Sequence, residues 1–368
     1  ELRVDVGPVI DAEAQAGITQ HIEKFKAQGH RVFQHPSHLA MSSAQGTFVP
    51  PTLIELKHIG ELQREVFGPV LHLVRYARSD LDRLLDQINA TGYGLTQGVH
   101  TRIDETIARV VNRAHAGNVY VNRNMVGAVV GVQPFGGEGL SGTGPKAGGP
   151  LYLLRLLSRR PADALARTFA DADRATPPED AVRERLLAPL ATLQQWAQLQ
   201  GNAALASTCQ RFARQTQSGT ARTLHGPTGE RNVYTLAPRA RVLCLAQSVD
   251  DLLTQTAAVL ATGGTALWPN TQASQRAKLP TLVQAQVLLQ DNALNDGTLA
   301  LDAVLHHGDT PSLQAVCTAL TRRAGPIVGV TALQPGATDI PLERLMIERA
   351  LSVNTAAAGG NASLMTIG

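Results

Sequence analysis

Gly137-Glu138-Gly139-Leu140-Ser141-Gly142 has the spacing G-x-G-x-x-G, in which the backbone N–H groups of a glycine turn cradle a pyrophosphate where a helix begins. That chemistry needs a strand before the turn and a helix opening inside it. Here Gly144-Pro145 follows at once, and a helix cannot run through it. Pro145 also separates Gly144 from Lys146, so the Walker spacing fails too. The run is nevertheless dense in glycine from Gly136 to Gly149, which removes Cβ atoms where backbone turns sharply or approaches other groups closely. Thiol chemistry has three candidates, Cys209, Cys244 and Cys317, far apart and in no metal-binding spacing. Cys244 reads as part of an apolar strand and Cys317 as part of an apolar helix face, so both are expected to be buried and inert. His306-His307 lacks a third ligand in the sequence and reads as a strand end, and Arg322-Arg323 reads as a helix C-terminus favoured by the macrodipole. Glu65, on its own, is an ordinary solvated carboxylate.

The elements that would position these groups alternate. A helix is predicted over Asp11 to Gln28, with Asp11 as N-cap, Gly29 as stop, and Ile18, Ile22 and Phe25 on one face. Strand-like runs follow at Arg31 to Gln34, Thr47 to Leu56, interrupted by Pro50-Pro51, and Val70 to Tyr76. Leu81, Leu84, Leu85 and Ile88 mark a helix from Asp80 to Asn89. Leu95 to Thr101, Asp104 to His115 and Asn118 to Asn122 then read as a strand, a helix and a strand, the crossover unit of a parallel sheet. After the glycine run, Leu151 to Leu157 reads as a short helix and Arg160 to Glu184 as a domain boundary, followed by one or two helices over Arg185 to Gln215. A second α/β module has predicted strands at Arg241 to Ala246, Thr265 to Trp268, Ala303 to His306 and Ile327 to Val330. Its predicted helices lie near Val249 to Thr262, Ser274 to Leu289 and Ser312 to Arg323. Ala246-Gln247-Ser248-Val249 replaces the pyrophosphate-binding glycines after its first strand, so its kinship to nucleotide-binding domains is architectural.

Length and composition bound the rest. At 368 residues two domains are expected, and 43% hydrophobic with 17% charged residues is ordinary for a globular chain. No apolar run is long enough to cross a bilayer. A net charge of +3 from 33 basic and 30 acidic residues argues for no nucleic acid partner. The cysteine usage fits a reducing cytoplasm. Without an initiator Met, the chain is expected to be a piece of something longer.

Three blocks carry a family resemblance: Asp5-Val6-Gly7-Pro8-Val9-Ile10-Asp11, Glu65-Val66-Phe67-Gly68-Pro69-Val70, and the run from Gln133 to Pro150. Together they resemble the C-terminal half of the catalytic region of the aldehyde dehydrogenase superfamily, over roughly residues 3 to 157. Tyr120-Val121-Asn122-Arg123-Asn124-Met125-Val126-Gly127-Ala128, continuing through Gly137, resembles the Δ1-pyrroline-5-carboxylate dehydrogenase module of the bacterial proline utilization A family. The last residues, Asn354 to Gly368, resemble the end of its longer members.

The resemblance implies a fold and roles. Residues 1–159 would be part of an aldehyde dehydrogenase catalytic domain and 160–219 a linker with helices. Residues 220–340 would be a doubly wound, Rossmann-like module without a cofactor fingerprint, and 341–368 a tail whose strand covers a sheet edge. Glu65 would hold the nicotinamide ribose hydroxyls of NAD, with Phe67 beside the nicotinamide end. Gly127 and Ala128 would anchor the substrate carboxylate through backbone N–H groups, and Phe135 would wall the aldehyde. The activity implied is oxidation of L-glutamate γ-semialdehyde to L-glutamate with NAD, in a cytoplasmic homo-oligomer, peripheral at the inner membrane, whose FAD belongs to a proline dehydrogenase part not in this chain. The nucleophilic cysteine and the glutamate base of the family lie upstream of the matched segment, so no catalytic residue is expected here and the chain alone is expected to be inactive. A non-catalytic structural or assembly module and a different aldehyde dehydrogenase stay open beside that reading.

Overall fold

The computed structural model describes residues 6–34, 46–157, 160–161, 164–168, 175–176 and 179–356. By its contacts the chain divides into two compact units, Glu1–Thr91 and Gly92–Gly368. Asp5 of the first family block and residues 357–368 of the C-terminal block lie outside the described residues.

In the first unit, helix α1 (Ala12–Ala27) is capped by Asp11, whose carboxylate accepts the Ala14 N–H at 2.8 Å, and it stops at Gly29, where φ is +80°. Ile18, Ile22 and Phe25 are buried against Val49, Ile54 and Leu56. Strand β1 (Arg31–Gln34) runs antiparallel to β2 (Thr52–Leu56), and β3 (Val70–Val74) runs parallel to β2. The predicted strand from Thr47 begins only at Thr52, because Pro50 and Pro51 bring no N–H to a ladder. Helix α2 (Leu81–Ala90) follows a 3-10 turn at Arg78–Asp80 and buries Leu81 and Leu85.

The second unit opens with β4 (Tyr93–Gly94), β5 (Thr96–Val99), α3 (Asp104–Arg113) and β6 (Asn118–Val121), and β5 and β6 pair in parallel as the crossover pattern requires. Then come β7 (Glu138–Gly139), paired with β4, α4 (Ala164–Thr168), β8 (Ala175–Thr176), α5 (Asp180–Leu199) and α6 (Ala203–Gln215). Strands β9 (Ala221–Leu224) and β10 (Glu230–Pro238) precede β11 (Arg241–Ala246), α7 (Val249–Thr262), β12 (Thr265–Trp268), α8 (Ala273–Arg276), α9 (Thr281–Gln284) and β13 (Val287–Leu289). The unit closes with β14 (Ala303–His307), α10 (Thr310–Leu320), β15 (Gly329–Leu333) and β16 (Met346–Asn354).

Strands β11 to β15 form an all-parallel sheet in the order β13-β12-β11-β14-β15, a doubly wound arrangement. Alternate residues of β11 feed opposite faces: Val242 and Cys244 join α5, α6 and α7 in one core, while Leu243 joins Val304 and Val316 in another. Packed against β11 and β12 and covered by α5 and α6, α7 is almost wholly buried. The predicted helix from Ser274 to Leu289 is instead α8, α9 and an extra strand, β13. Pro280 lies between the two short helices, where it would remove a helical N–H, and Val287 to Leu289 pair with β12. Leu151 to Leu157 tightens to a 3-10 turn at Leu153–Arg155.

The other large sheet has the order β5-β6-β16-β10-β9-β8. Strand β16 pairs in parallel with β6 and antiparallel with β10, the latter over nine residues, so within 341–368 the residues Met346–Asn354 form an interior strand of a continuous sheet. This ladder holds β6 and β16, on either side of the 160–184 stretch, in one compact unit. The backbone of β6 is thereby hydrogen-bonded to the last strand of the second module.

Candidate functional site

Glu65 and Phe67 lie on the connection into β3. Val66 between them packs toward the core formed with Val70 and Val74, and its neighbours on either side face solvent, Phe67 at 86% exposure. Among the described residues the Glu65 carboxylate makes no ion pair or hydrogen bond. Gly68 lets this connection lie on α1, since a Cβ there would sit 2.4 Å from Ile18 Cδ1. Nearby Glu61 is occupied otherwise, accepting the Lys57 N–H at 2.7 Å and approaching His30 Nε2 at 3.4 Å.

Gly127, Ala128 and Phe135 belong to the second unit, on the long loop leaving β6. Asn122 turns the chain with φ of 55° and clamps it to the end of β5: its Oδ1 accepts the Thr101 N–H and its Nδ2 donates to the Thr101 carbonyl, both at 3.0 Å. Gln133 closes the loop from the other side. Its Oε1 accepts the Val129 N–H at 3.1 Å, while its own N–H donates to the Val129 carbonyl at 2.8 Å. Between these clamps Gly127 is exposed with φ of +78°, Ala128 is half-buried, and neither donates its N–H to a protein acceptor among the described residues. Phe135 is half-buried and held at both backbone groups, its N–H donating to Ala147 O at 3.0 Å and its carbonyl accepting from Ala147 N at 2.8 Å. Asn118 fixes the flanking peptides, donating to Pro134 O at 2.9 Å and accepting the Gly136 N–H at 3.1 Å.

The glycine run holds no helix. It folds as a clasp around Lys146, which is 2% exposed and donates from Nζ to Asn118 Oδ1 at 3.0 Å and to the Gly136 carbonyl. Glu348 of β16 receives the Lys146 N–H on Oε2 and the Tyr234 hydroxyl on Oε1, each at 2.7 Å. Burial lowers the Lys146 ammonium to about 8, opposed chiefly by the charge of Glu348, and burial raises Glu348 and Tyr234. A second carboxylate, Glu138, meets Arg349 at 3.2 Å. In the sequence Lys146 stands out only as a misplaced Walker lysine, and Asn118, Gln133 and Glu348 fall in no functional spacing. A lone lysine inside a tract of small residues was the available signal, because a cation there must be exposed or paired.

The cysteines offer no nucleophile near these loops. Burial lifts Cys209 to about 12 and Cys244 higher still, leaving both as thiols at neutral pH. Cys317 is exposed, contrary to its expected burial, because Val316 is the α10 residue that turns into the core. His306 and His307 are buried at the end of β14. Gln255 Nε2 and His307 Nδ1 are 2.9 Å apart, and no group of three metal-capable side chains occurs among the described residues. Arg323 does more than complement a helix end, donating to the carbonyls of Ala293, Asp296 and Leu299.

Residues 1–160 match the aldehyde dehydrogenase family. Over its whole length the chain is 57% identical to the bifunctional protein PutA of Salmonella typhimurium, and it is 45% identical over 99% of its length to that of Rhizobium meliloti. The chain spans 28% and 29% of those two relatives. The 1-pyrroline-5-carboxylate dehydrogenase of Bacillus pumilus is 43% identical over 41% of this chain and 28% of its own length. Among solved structures, proline utilization A from Corynebacterium freiburgense shares the fold over 88% of this chain and 29% of its own, with a TM-score of 0.55 at 20% identity. Residues 1–160 thus resemble the aldehyde dehydrogenase family, and over its whole length the chain is similar to a part of the PutA proteins.

Proposed function

We propose that this chain serves an NAD-dependent aldehyde dehydrogenase that oxidises L-glutamate γ-semialdehyde to L-glutamate, with Glu65 and Phe67 of the first unit serving the cofactor and Gly127 and Ala128 of the second serving the substrate carboxylate. The observation that carries this reading is the clamped loop at Gly127 and Ala128. Two uncommitted N–H groups, one of them on a positive-φ glycine, are backbone donors of the kind from which a carboxylate accepts. The names of the relatives, PutA and 1-pyrroline-5-carboxylate dehydrogenase, support the choice of aldehyde.

NAD, when bound, takes up the hydride released by the aldehyde carbon. The unengaged carboxylate of Glu65 suits the ribose hydroxyls, and the exposed ring of Phe67 offers a flat face beside it. Phe135, with its backbone fixed on both sides, supplies an apolar wall that excludes water from the aldehyde. Neither buried thiol nor Cys317 on α10 suits the attacking thiolate, so the reading places that nucleophile, and the base that hydrolyses the thioester, outside this chain. It carries with it a cytoplasmic homo-oligomer, peripheral at the inner membrane, whose FAD belongs to a proline dehydrogenase part. Among the described residues no helix is long and apolar enough to cross a membrane.

The test is steady-state kinetics on the complete protein, comparing glutamate semialdehyde with propanal. A preference of at least about 100-fold in kcat/KM is expected if two or more charge-assisted bonds reach the carboxylate, each worth about 1.5–3 kcal/mol. Equal kcat/KM for both would overturn the reading. Glu65→Gln should raise the KM for NAD by about tenfold and leave that for the aldehyde in place, because only bonds to the ribose weaken.

A further inference from the structure

The loop that presents Gly127 and Ala128 is held by groups outside the aldehyde dehydrogenase match. Glu230 is the first residue of β10, and its side chain is 11% exposed. Its Oε1 accepts from Gln133 Nε2 at 2.8 Å and from the guanidinium of Arg123. Gln133 relays this grip, because its other end accepts the Val129 N–H. Arg123 stands at the opposite stem of the loop, stacked over the Tyr120 ring at 5.0 Å. Glu230 is paired across the ladder with Asn354 of β16, whose Nδ2 donates to the Asn122 carbonyl at 3.1 Å. One cross-strand pair of the second module thus reaches both stems of the loop.

The physical need is plain from the loop itself. Val126 and Val130 are each 83% exposed, and Gly127 and Gly131 both have φ of +78°, so the segment buries little surface of its own and has wide conformational freedom when released. An unclamped loop would have to be ordered by the substrate at the expense of affinity. The charge also matters. Arg123, unpaired, would be a competing cation beside the anchor; Glu230 neutralises it and leaves recognition to backbone donors of fixed geometry.

We infer that Glu230 is a positioning residue for the substrate-carboxylate loop, acting through Gln133 and Arg123, so that the second module sets the selectivity of the aldehyde dehydrogenase site. This rests on the reading of Gly127 and Ala128 as the carboxylate anchor. The experiment uses the complete protein with Glu230→Ala, Glu230→Gln and Gln133→Ala, reading KM and kcat for glutamate semialdehyde and propanal, together with hydrogen exchange at the Val129 amide. Glu230→Ala should raise the KM for glutamate semialdehyde about tenfold with kcat retained, lower the preference over propanal by a similar factor, and speed Val129 exchange. Glu230→Gln, which keeps an acceptor oxygen for Gln133 but leaves the Arg123 charge unneutralised, should recover only part of the loss and restore slow Val129 exchange. Gln133→Ala should reproduce the Glu230→Ala effect without adding to it when combined. Unchanged KM and exchange in Glu230→Ala would overturn the inference, as would an equal rise in KM for both aldehydes. If the wild-type protein shows no preference for the carboxylate-bearing aldehyde, the anchor reading fails, and Val129 exchange then decides the clamp by itself.

Discussion

Replacing Gly117 by alanine is expected to destabilise the second unit by at least about 3 kcal/mol, at the upper end of what overpacking costs. A Cβ at this position would lie 1.9 Å from the Gly136 carbonyl oxygen and 2.7 Å from Lys146 Nζ. Neither neighbour is free to retreat. The Gly136 carbonyl already accepts from Lys146, its N–H donates to Asn118, and Gly117 is itself fixed by donating to Gly94 O and accepting from Ala350 N, both at 2.9 Å. The methyl group would therefore push apart β6, the glycine run and β16 together. Urea denaturation of the chain measures this, with Gly329→Ala as control. Gly329 has nothing within 4 Å of a Cβ and no positive φ, so its substitution should stay within about 1 kcal/mol of wild type. Equal midpoints for the two variants would refute the close-approach argument.

The same contact shows where sequence reasoning reaches and where it stops. Local elements were legible because their signals are local. The N-cap of α7 is Ser248, accepting the Asp251 N–H at 3.1 Å, and its stop is Gly263 with φ of +85°. Strands β11 and β12 fall where apolar runs place them, and the misfit of the literal G-x-G-x-x-G with a phosphate site followed from Gly144-Pro145 alone. Pairings over long range were not legible. Asn118 and Ala350 are ladder partners across the sheet, but period-two alternation in β16 says which residues face inward and nothing about which strand lies alongside. Strand β10, with Asn232, Tyr234 and Leu236 buried on one face, carries such a pattern, but the pattern names no partner. The candidate site divides in the same way. Glu65, Phe67, Gly127, Ala128 and Phe135 came from resemblance. Asn118, Gln133, Glu230 and Glu348 act through contacts that no spacing rule announces.

Glu348→Ala is expected to cost about 3–5 kcal/mol, from two buried donors left unsatisfied at about 1–3 kcal/mol each and from the lost attraction on the buried Lys146 ammonium. The carboxylate serves two donors at 2.7 Å, the Lys146 N–H and the Tyr234 hydroxyl, and it is the largest charge holding the buried Lys146 ammonium in place. Its removal strands both donors and leaves a buried cation without its main counter-charge. Glu348→Gln keeps the shape and one acceptor, so it should cost less than Glu348→Ala; the reverse order would sink the argument. A pH profile separates charge from packing. Lys146 has a folded value of about 8 against an ordinary 10.5, so between those values the unfolded chain binds more protons than the folded one and stability rises with pH. The full penalty on the charged form is present below pH 8, and its relief by pH 10.5 amounts to roughly 3 kcal/mol. Lys146→Met should flatten that rise relative to wild type. In Glu348→Ala the rise should begin below pH 8, because the attraction that held the ammonium charged is gone. Measured by urea midpoints between pH 7 and pH 10.5, an unmoved onset would show that Glu348 supports the clasp by its hydrogen bonds alone.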